Sequence, residues 1–402
     1  MILKLDMVQT AAIGVIVLFI GQFIKSKATF LEKYCIPSPV IGGLLFAIMT
    51  LILKQTGMLT LEMDATLQKL FMTVFFTTIG FTASFKLLKK GGVQVFIFLA
   101  ISVSLVTLQD FTGVFLAKLF KLNPLIGLAT ASVPMVGGHG TAGAFGPVFE
   151  KAGAVGATTV AIASATFGLI MGSMIGGPIA KRLIDKNNLL AKKKSFSEVA
   201  HEESAATEEG NTKKLVPNNF MNATAQIFLA MGIGTIISAL LQKTGMTFPP
   251  YIGAMFAAAI LRNLSDSTSK FKIYGDEIDI LGNIALSLFL AMALMALQLW
   301  QLADLALPLI IMLLSQTVLM ALFAYFVTFN LMGRDYEAAV MASANCGFGM
   351  GATPNAMANM EAIVTKFGPA PKAFFIVPLV GSLFIDFFNA GIITIFMNFF
   401  VK

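Results

Sequence analysis

Two short segments hold most of the residues of this chain that could bind a small polar ligand or an ion. The first reads Ser132-Val-Pro-Met-Val-Gly-Gly-His-Gly-Thr-Ala-Gly-Ala-Phe145, and the second Ser343-Ala-Asn-Cys-Gly-Phe-Gly-Met-Gly-Ala-Thr-Pro-Asn-Ala356. Glycine lets backbone amides and carbonyls come close to a ligand, and Pro134 and Pro354 interrupt helical hydrogen bonding. In the first segment Gly137, Gly138, His139, Gly140 and Thr141 stand where a helix restarts, and the positive end of a helix suits an anion. In the second, Gly349, Gly351, Thr353 and Asn355 offer a similar mixture of amides and neutral polar side chains. These residues are the candidate substrate contacts.

The candidate sodium ligands are Ser132, Asn345 and Gly347, which carry neutral oxygens, together with Asp110, Asp386 and Asn389, which interrupt apolar runs. A carboxylate at bilayer depth costs about 2.5–3.5 kcal/mol on insertion scales, and a bound cation would offset that. Asp386 and Asn389, three residues apart, share a helix face. His139 reads equally as a buried neutral imidazole bonded to its surroundings or as a contact to substrate or proton. The glycines have a structural alternative too, close packing of helices. No nucleophile–base arrangement, metalloprotease helix or phosphate loop occurs, so neither an enzyme nor a nucleotide-driven pump is expected.

The elements that must position these groups are membrane spans. Of 402 residues, 57% are hydrophobic and 12% charged, and the mean hydropathy is +0.83. Such a chain is an all-α polytopic membrane protein. Irregular backbone facing lipid leaves amides and carbonyls unpaired, so the two breaks must line a cavity or be buried in protein. The polar stretch 185–219 divides the chain into a first membrane repeat, 1–184, and a second, 220–402, and is itself expected to be a cytoplasmic linker. Pro39-Val-Ile-Gly42 and Pro250-Tyr-Ile-Gly253 lie 211 residues apart, as do Ser132 and Ser343 and the Gly138 and Gly349 positions. A constant separation over such a length points to an internal repeat. Each half holds five apolar spans and one broken re-entrant hairpin. The spans are expected at 7–24, 38–54, 70–88, 93–117 and 155–180, then at 220–241, 250–262, 280–299, 303–330 and 372–400. The hairpins fall near 125–146 and 336–360. An odd number of spans inverts the second half relative to the first.

With the linker in the cytoplasm, the 28 Lys and Arg divide 20 inside to 8 outside, and both termini lie outside. The net charge of +7 therefore reads as an orienting signal, with no basic, aromatic-interleaved stripe for nucleic acid. The first apolar run reads as a retained span. Cys35 and Cys346 form no disulfide or metal framework.

Val136-Gly-Gly-His-Gly-Thr141 and Asn345-Cys-Gly-Phe-Gly-Met-Gly-Ala-Thr-Pro-Asn355 resemble the hairpin signatures of the bacterial glutamate:sodium symporter family. The resemblance extends to Ile36-Pro-Ser-Pro-Val-Ile-Gly-Gly43, to Leu281-Gly-Asn-Ile-Ala-Leu-Ser-Leu-Phe-Leu-Ala-Met-Ala-Leu-Met295 and to Phe384-Ile-Asp-Phe-Phe-Asn389. It implies import of L-glutamate with sodium as the coupling ion and no other cofactor. It also implies an inner-membrane location among lipids, a homodimer, and elevator-type alternating access. The rivals are a proton-coupled or other di- or tricarboxylate carrier of the same fold, and a channel.

Overall fold

The computed structural model describes residues 2–28, 36–90, 92–190, 217–243, 250–268, 271–297, 299 and 306–400. Cys35 and residues 191–216 of the expected linker lie outside them. In chain order the elements are β1 (Ile2–Leu5), α1 (Met7–Lys27), α2 (Ser38–Gln55), β2 (Thr60–Met63), α3 (Thr66–Thr82), α4 (Phe85–Lys90) and α5 (Gly92–Leu119). Three shorter helices, α6 (Pro124–Leu128), α7 (Ser132–Met135) and α8 (Gly138–Lys151), precede the long α9 (Ala157–Lys186). The second half contains α10 (Pro217–Gln242), α11 (Pro250–Thr268), α12 (Gly275–Met295), α13 (Ala306–Phe323) and α14 (Phe329–Leu331). It closes with α15 (Tyr336–Gly349), α16 (Thr353–Phe367), α17 (Pro371–Leu383) and α18 (Ile385–Phe400).

Among the described residues, eight helices are long and apolar enough to cross a membrane, and α17 with α18 forms a ninth, bent candidate. The expected span at 250–262 is a helix, α11, but its last turns hold Arg262, Asn263, Ser265 and Asp266, which lower its hydropathy. Two other expected spans are interrupted. The span near 70–88 breaks at Ala83 and Ser84, and 372–400 breaks at Phe384. Between α13 and α14 the chain widens into a π turn, Ala324–Thr328. One element outside the all-α expectation is a parallel two-stranded ribbon, in which Ile2–Leu5 pairs with Thr60–Met63. It lies beyond the apolar stretches, where edge backbone is free to pair.

Small residues set how closely the helices approach. Gly21 of α1 meets Ser38 and Gly42 of α2, Gly234 of α10 meets Ala254 of α11, and Gly80 of α3 meets the Met255 carbonyl. A side chain at any of them would collide with the facing backbone, so association here relies on close van der Waals contact rather than on bulk hydrophobicity. Helices α1–α3 and α10–α12 pack mainly on one another. The other group is built on α9, which packs against α8, α15 and α16, with α5 and α13 alongside. The groups meet where Phe145 of α8 lies edge-to-face with Tyr251 of α11 at 5.7 Å, and Tyr251 is itself stacked on Phe76 of α3 at 4.3 Å within its own group.

Candidate functional site

The two glycine-rich segments touch. Gly138 begins α8 with φ +58°, and a methyl group placed on it would lie 3.4 Å from the carbonyl oxygen of Gly351. An L side chain is strained at that dihedral, so glycine is required for α8 to start where it does. The second break is narrower than its glycine content implies. Ser343 through Gly349 are helical, and the chain leaves the helix only over Met350–Ala352. Gly347 packs against α16, where a Cβ would come within 2.5 Å of the Ala356 amide nitrogen.

Around the Gly138–Gly351 contact, Gly137, Gly138, Ala352 and Thr353 keep partial exposure and Pro354 is exposed, whereas their neighbours are buried. Helices α8 and α16 both start here, and neither carries a side-chain cap. By contrast, Asp6, Asn123 and Asp335 cap α1, α6 and α15 with their side chains. The first turn of α8 leaves its leading amides unpaired within the helix, whereas in α16 Pro354 has no N–H and the Asn355 and Ala356 amides bond to the Ala352 carbonyl, so the donors facing this space come mainly from α8.

The polar side chains nearby are held by α9. His139 Nε2 lies 2.9 Å from Thr166 Oγ1, and Thr166 also bonds to the Ile162 carbonyl. Among the described residues His139 Nε2 thus has one partner, the Thr166 hydroxyl. Asn355 donates to the Leu169 carbonyl at 2.9 Å and to Ser173 Oγ at 2.7 Å. Asn359, one turn on, donates to the carbonyls of Gly172 and Ser343. Sequence reading passed over Asn359, although its spacing of four from Asn355 puts it on the same face. Thr353 donates to the Gly381 carbonyl at 2.9 Å, and Thr141 packs over Gly137. Gly140 faces Phe75 and Leu286 of the other helix group.

A second cluster forms behind the first break. The Ser132 amide donates to Asp110 Oδ1 at 3.1 Å, and Asn389 Nδ2 donates to the Ser132 carbonyl at 3.3 Å. Asp110 Oδ2, Ser132 Oγ and Asn389 Oδ1 are buried without a partner. A buried oxygen that gains no donor is costly, and three of them around one residue have the chemistry of ligands for a hard cation. Asp386, one turn before Asn389, is half-buried and forms no hydrogen bond or ion pair with the described residues. Asn345 sits in a different cluster, donating to Thr328 of the π turn at 2.7 Å. Gln109 donates to the Gly349 carbonyl at 2.8 Å and Gln316 to the Gln109 carbonyl at 3.0 Å. Their Oε1 atoms and Asn345 Oδ1 are again unpartnered. Among the described residues, no group of His, Cys, Asp and Glu could hold a transition metal.

The family model described as sodium/glutamate symporter matches residues 3–369. A protein of Escherichia coli (strain K12) named sodium/glutamate symporter is 40% identical over 395 residues, covering 98% of each chain. One of Haemophilus influenzae with the same name is 38% identical over 388 residues, covering 96% of each. These relatives are named as transporters, not enzymes.

Proposed function

We propose that this chain, which belongs to the sodium/glutamate symporter family, imports L-glutamate with sodium across a bacterial inner membrane. The observation that carries the reading is the contact of Gly138 with Gly351, joined through the Gly137 amide's bond to the Ser132 carbonyl to the partnerless oxygens of Asp110, Ser132 and Asn389. A carboxylate of glutamate takes the leading amides of α8, within Gly137–Thr141, and the polar groups around Gly349, Gly351, Thr353 and Asn355 complete the pocket. Sodium takes Asp110, Ser132 and Asn389. Asp386, Asn345 and the Gly347 carbonyl are further sodium contacts. Sodium bound at Ser132 fixes the short segment that leads to Gly138, so the ion and the amino acid order the same piece of chain. Each then raises the other's affinity by the same factor, and downhill sodium entry draws glutamate in.

The same reading assigns two inverted repeats, 1–184 and 220–402, each with five spans and a re-entrant hairpin. The central linker is cytoplasmic and both termini are outside. Three features support it: the constant 211-residue separation, the charge asymmetry, and the exchange of partners in which α2 packs on α12 and α11 on α3. The group α1–α3 with α10–α12 is a homodimer scaffold, and the α5–α9 and α13–α18 group is the moving part of an elevator.

Uptake of labelled glutamate into liposomes holding the purified protein tests this. At fixed pH an inward sodium gradient should drive accumulation, and excess aspartate or citrate should compete weakly. Accumulation driven by a proton gradient without sodium, or equilibration without accumulation, would overturn it.

A further inference from the structure

An apolar cleft of about 440 Å³ opens between α11, the α3–α4 break and the α17–α18 break, lined by Phe85, Phe256, Ile260, Leu264, Phe384 and Phe387 among others. Phe85, Ile260 and Leu264 are exposed along it. It continues, through Phe85, Asn263 and Ser267, into a recess bounded by Lys86, Lys89 and Asp266. A further recess joins there at Lys86 and Asp266 and adds Arg262 and Lys272. We propose that this cleft binds one anionic diacyl phospholipid, an acyl chain along the apolar part and the headgroup against Lys86 and Lys89. The inference goes beyond the transport reading and does not depend on it.

Geometry favours a lipid over a soluble anion. From Asp266 back to Phe256 the α11 wall spans about 15 Å at 1.5 Å per residue, half the roughly 30 Å hydrocarbon core. The charged end is fixed in place: Asn263 accepts from the Phe85 amide at 2.8 Å and donates to the Ala83 carbonyl at 2.7 Å, and Ser84 donates to Asp266. Asp266 also pairs with Arg262 at 3.1 Å. Burial raises the Asp266 carboxyl, but hydrogen bonds from Ser84 and Arg262 and the charges of Arg262 and Lys86 outweigh it and hold it below the usual range. The carboxylate therefore stays ionised and offsets Arg262. Lys272 lies 5.1 Å from the centre of the Tyr274 ring. Lys86 and Lys89 are exposed and sit at the end of an apolar stretch that runs to Leu87, the level of lipid phosphates. The two recesses hold Lys86, Lys89, Arg262 and Lys272 against the single carboxylate of Asp266, beside the apolar slot.

Native mass spectrometry of the full-length protein, titrated with phosphatidylglycerol or with phosphatidylethanolamine of the same chains, tests the site. One phosphatidylglycerol should bind more tightly than phosphatidylethanolamine. Lys86→Gln should weaken it about fivefold and the Lys86→Gln/Lys89→Gln pair about thirtyfold, at about 1 kcal/mol per lysine near a lipid surface. Ile260→Trp, which narrows the cleft from its exposed side, should weaken it with both lysines intact. Equal retention of the two lipids, unchanged binding in the double variant, or displacement by soluble glycerol phosphate at equal concentration would each overturn the proposal. The lysines are exposed, so their replacement leaves the fold intact, and a failure here would leave the glutamate reading untouched.

Discussion

Ser132 is the residue on which the candidate ion site turns, because its backbone is held from both sides while its hydroxyl is left without a partner. Asp110 takes its amide, Asn389 donates to its carbonyl, and three oxygens face no donor. Removing one neutral oxygen ligand should cost about 1.5–3 kcal/mol of ion binding, the scale of a hydrogen bond to a charged group. Ser132→Ala is therefore expected to raise the sodium concentration for half-maximal glutamate uptake by about 10- to 150-fold, at unchanged glutamate affinity in saturating sodium. An unchanged sodium dependence would move the ion elsewhere. Thr166 poses a different test. It is the hydrogen-bond partner of His139 Nε2, and Thr166→Val leaves that ring nitrogen buried and unpaired, at about 1–3 kcal/mol. A lower thermal midpoint is expected, restored in Thr166→Ser, with the pH dependence of uptake unmoved. A shifted pH profile would instead give His139 a proton-coupling role.

At the scale of elements, the two breaks differ in what their glycines do. Gly138 is needed for its dihedral, Gly347 for its closeness to α16. Gly347→Ala pushes a methyl into the backbone of Asn355 and Ala356, and overpacking of that kind costs about 1–3 kcal/mol. The expected result is a lower thermal midpoint with bound glutamate and sodium still protecting. Gly138→Ala adds about 1–2 kcal/mol of backbone strain at the contact itself and should reduce uptake more than stability. Hydropathy made helices such as α1 and α5 legible from sequence, since each is one unbroken apolar run. The break after α3 was not legible. No glycine or proline marks Ala83 and Ser84, and the turn there is held by Asn263 from 180 residues away. The residue types of the ion cluster were readable, but their meeting was not, because Asp110 and Asn389 reach Ser132 across 22 and 257 positions. Asp386 shares the helix of Asn389 yet has no bond that ties it to Ser132, a distinction spacing alone does not make.

For the whole molecule, the elevator reading requires the α8 side of the site to slide against the scaffold, and one pair of residues makes that measurable. A Cβ on Gly143 of α8 would lie 3.8 Å from the Ala293 Cβ of α12, the mean separation in a disulfide. The Phe289 ring, 3.0 Å from the same position, must shift slightly to admit the bridge. Gly14 of α1 and Ala291 of α12 make a control, with a Cβ separation of 4.0 Å inside the scaffold group. In a background without Cys35 and Cys346, oxidising Gly143→Cys/Ala293→Cys should stop glutamate uptake, and reduction should restore it. Binding of glutamate in sodium should survive on whichever side the locked state faces. Oxidising Gly14→Cys/Ala291→Cys should leave uptake near its starting rate, because both cysteines belong to the part that stays still. Full-rate transport through the cross-linked Gly143–Ala293 pair would mean that α8 and α12 do not move past one another. The two glycine breaks would then have to exchange their access by local opening instead.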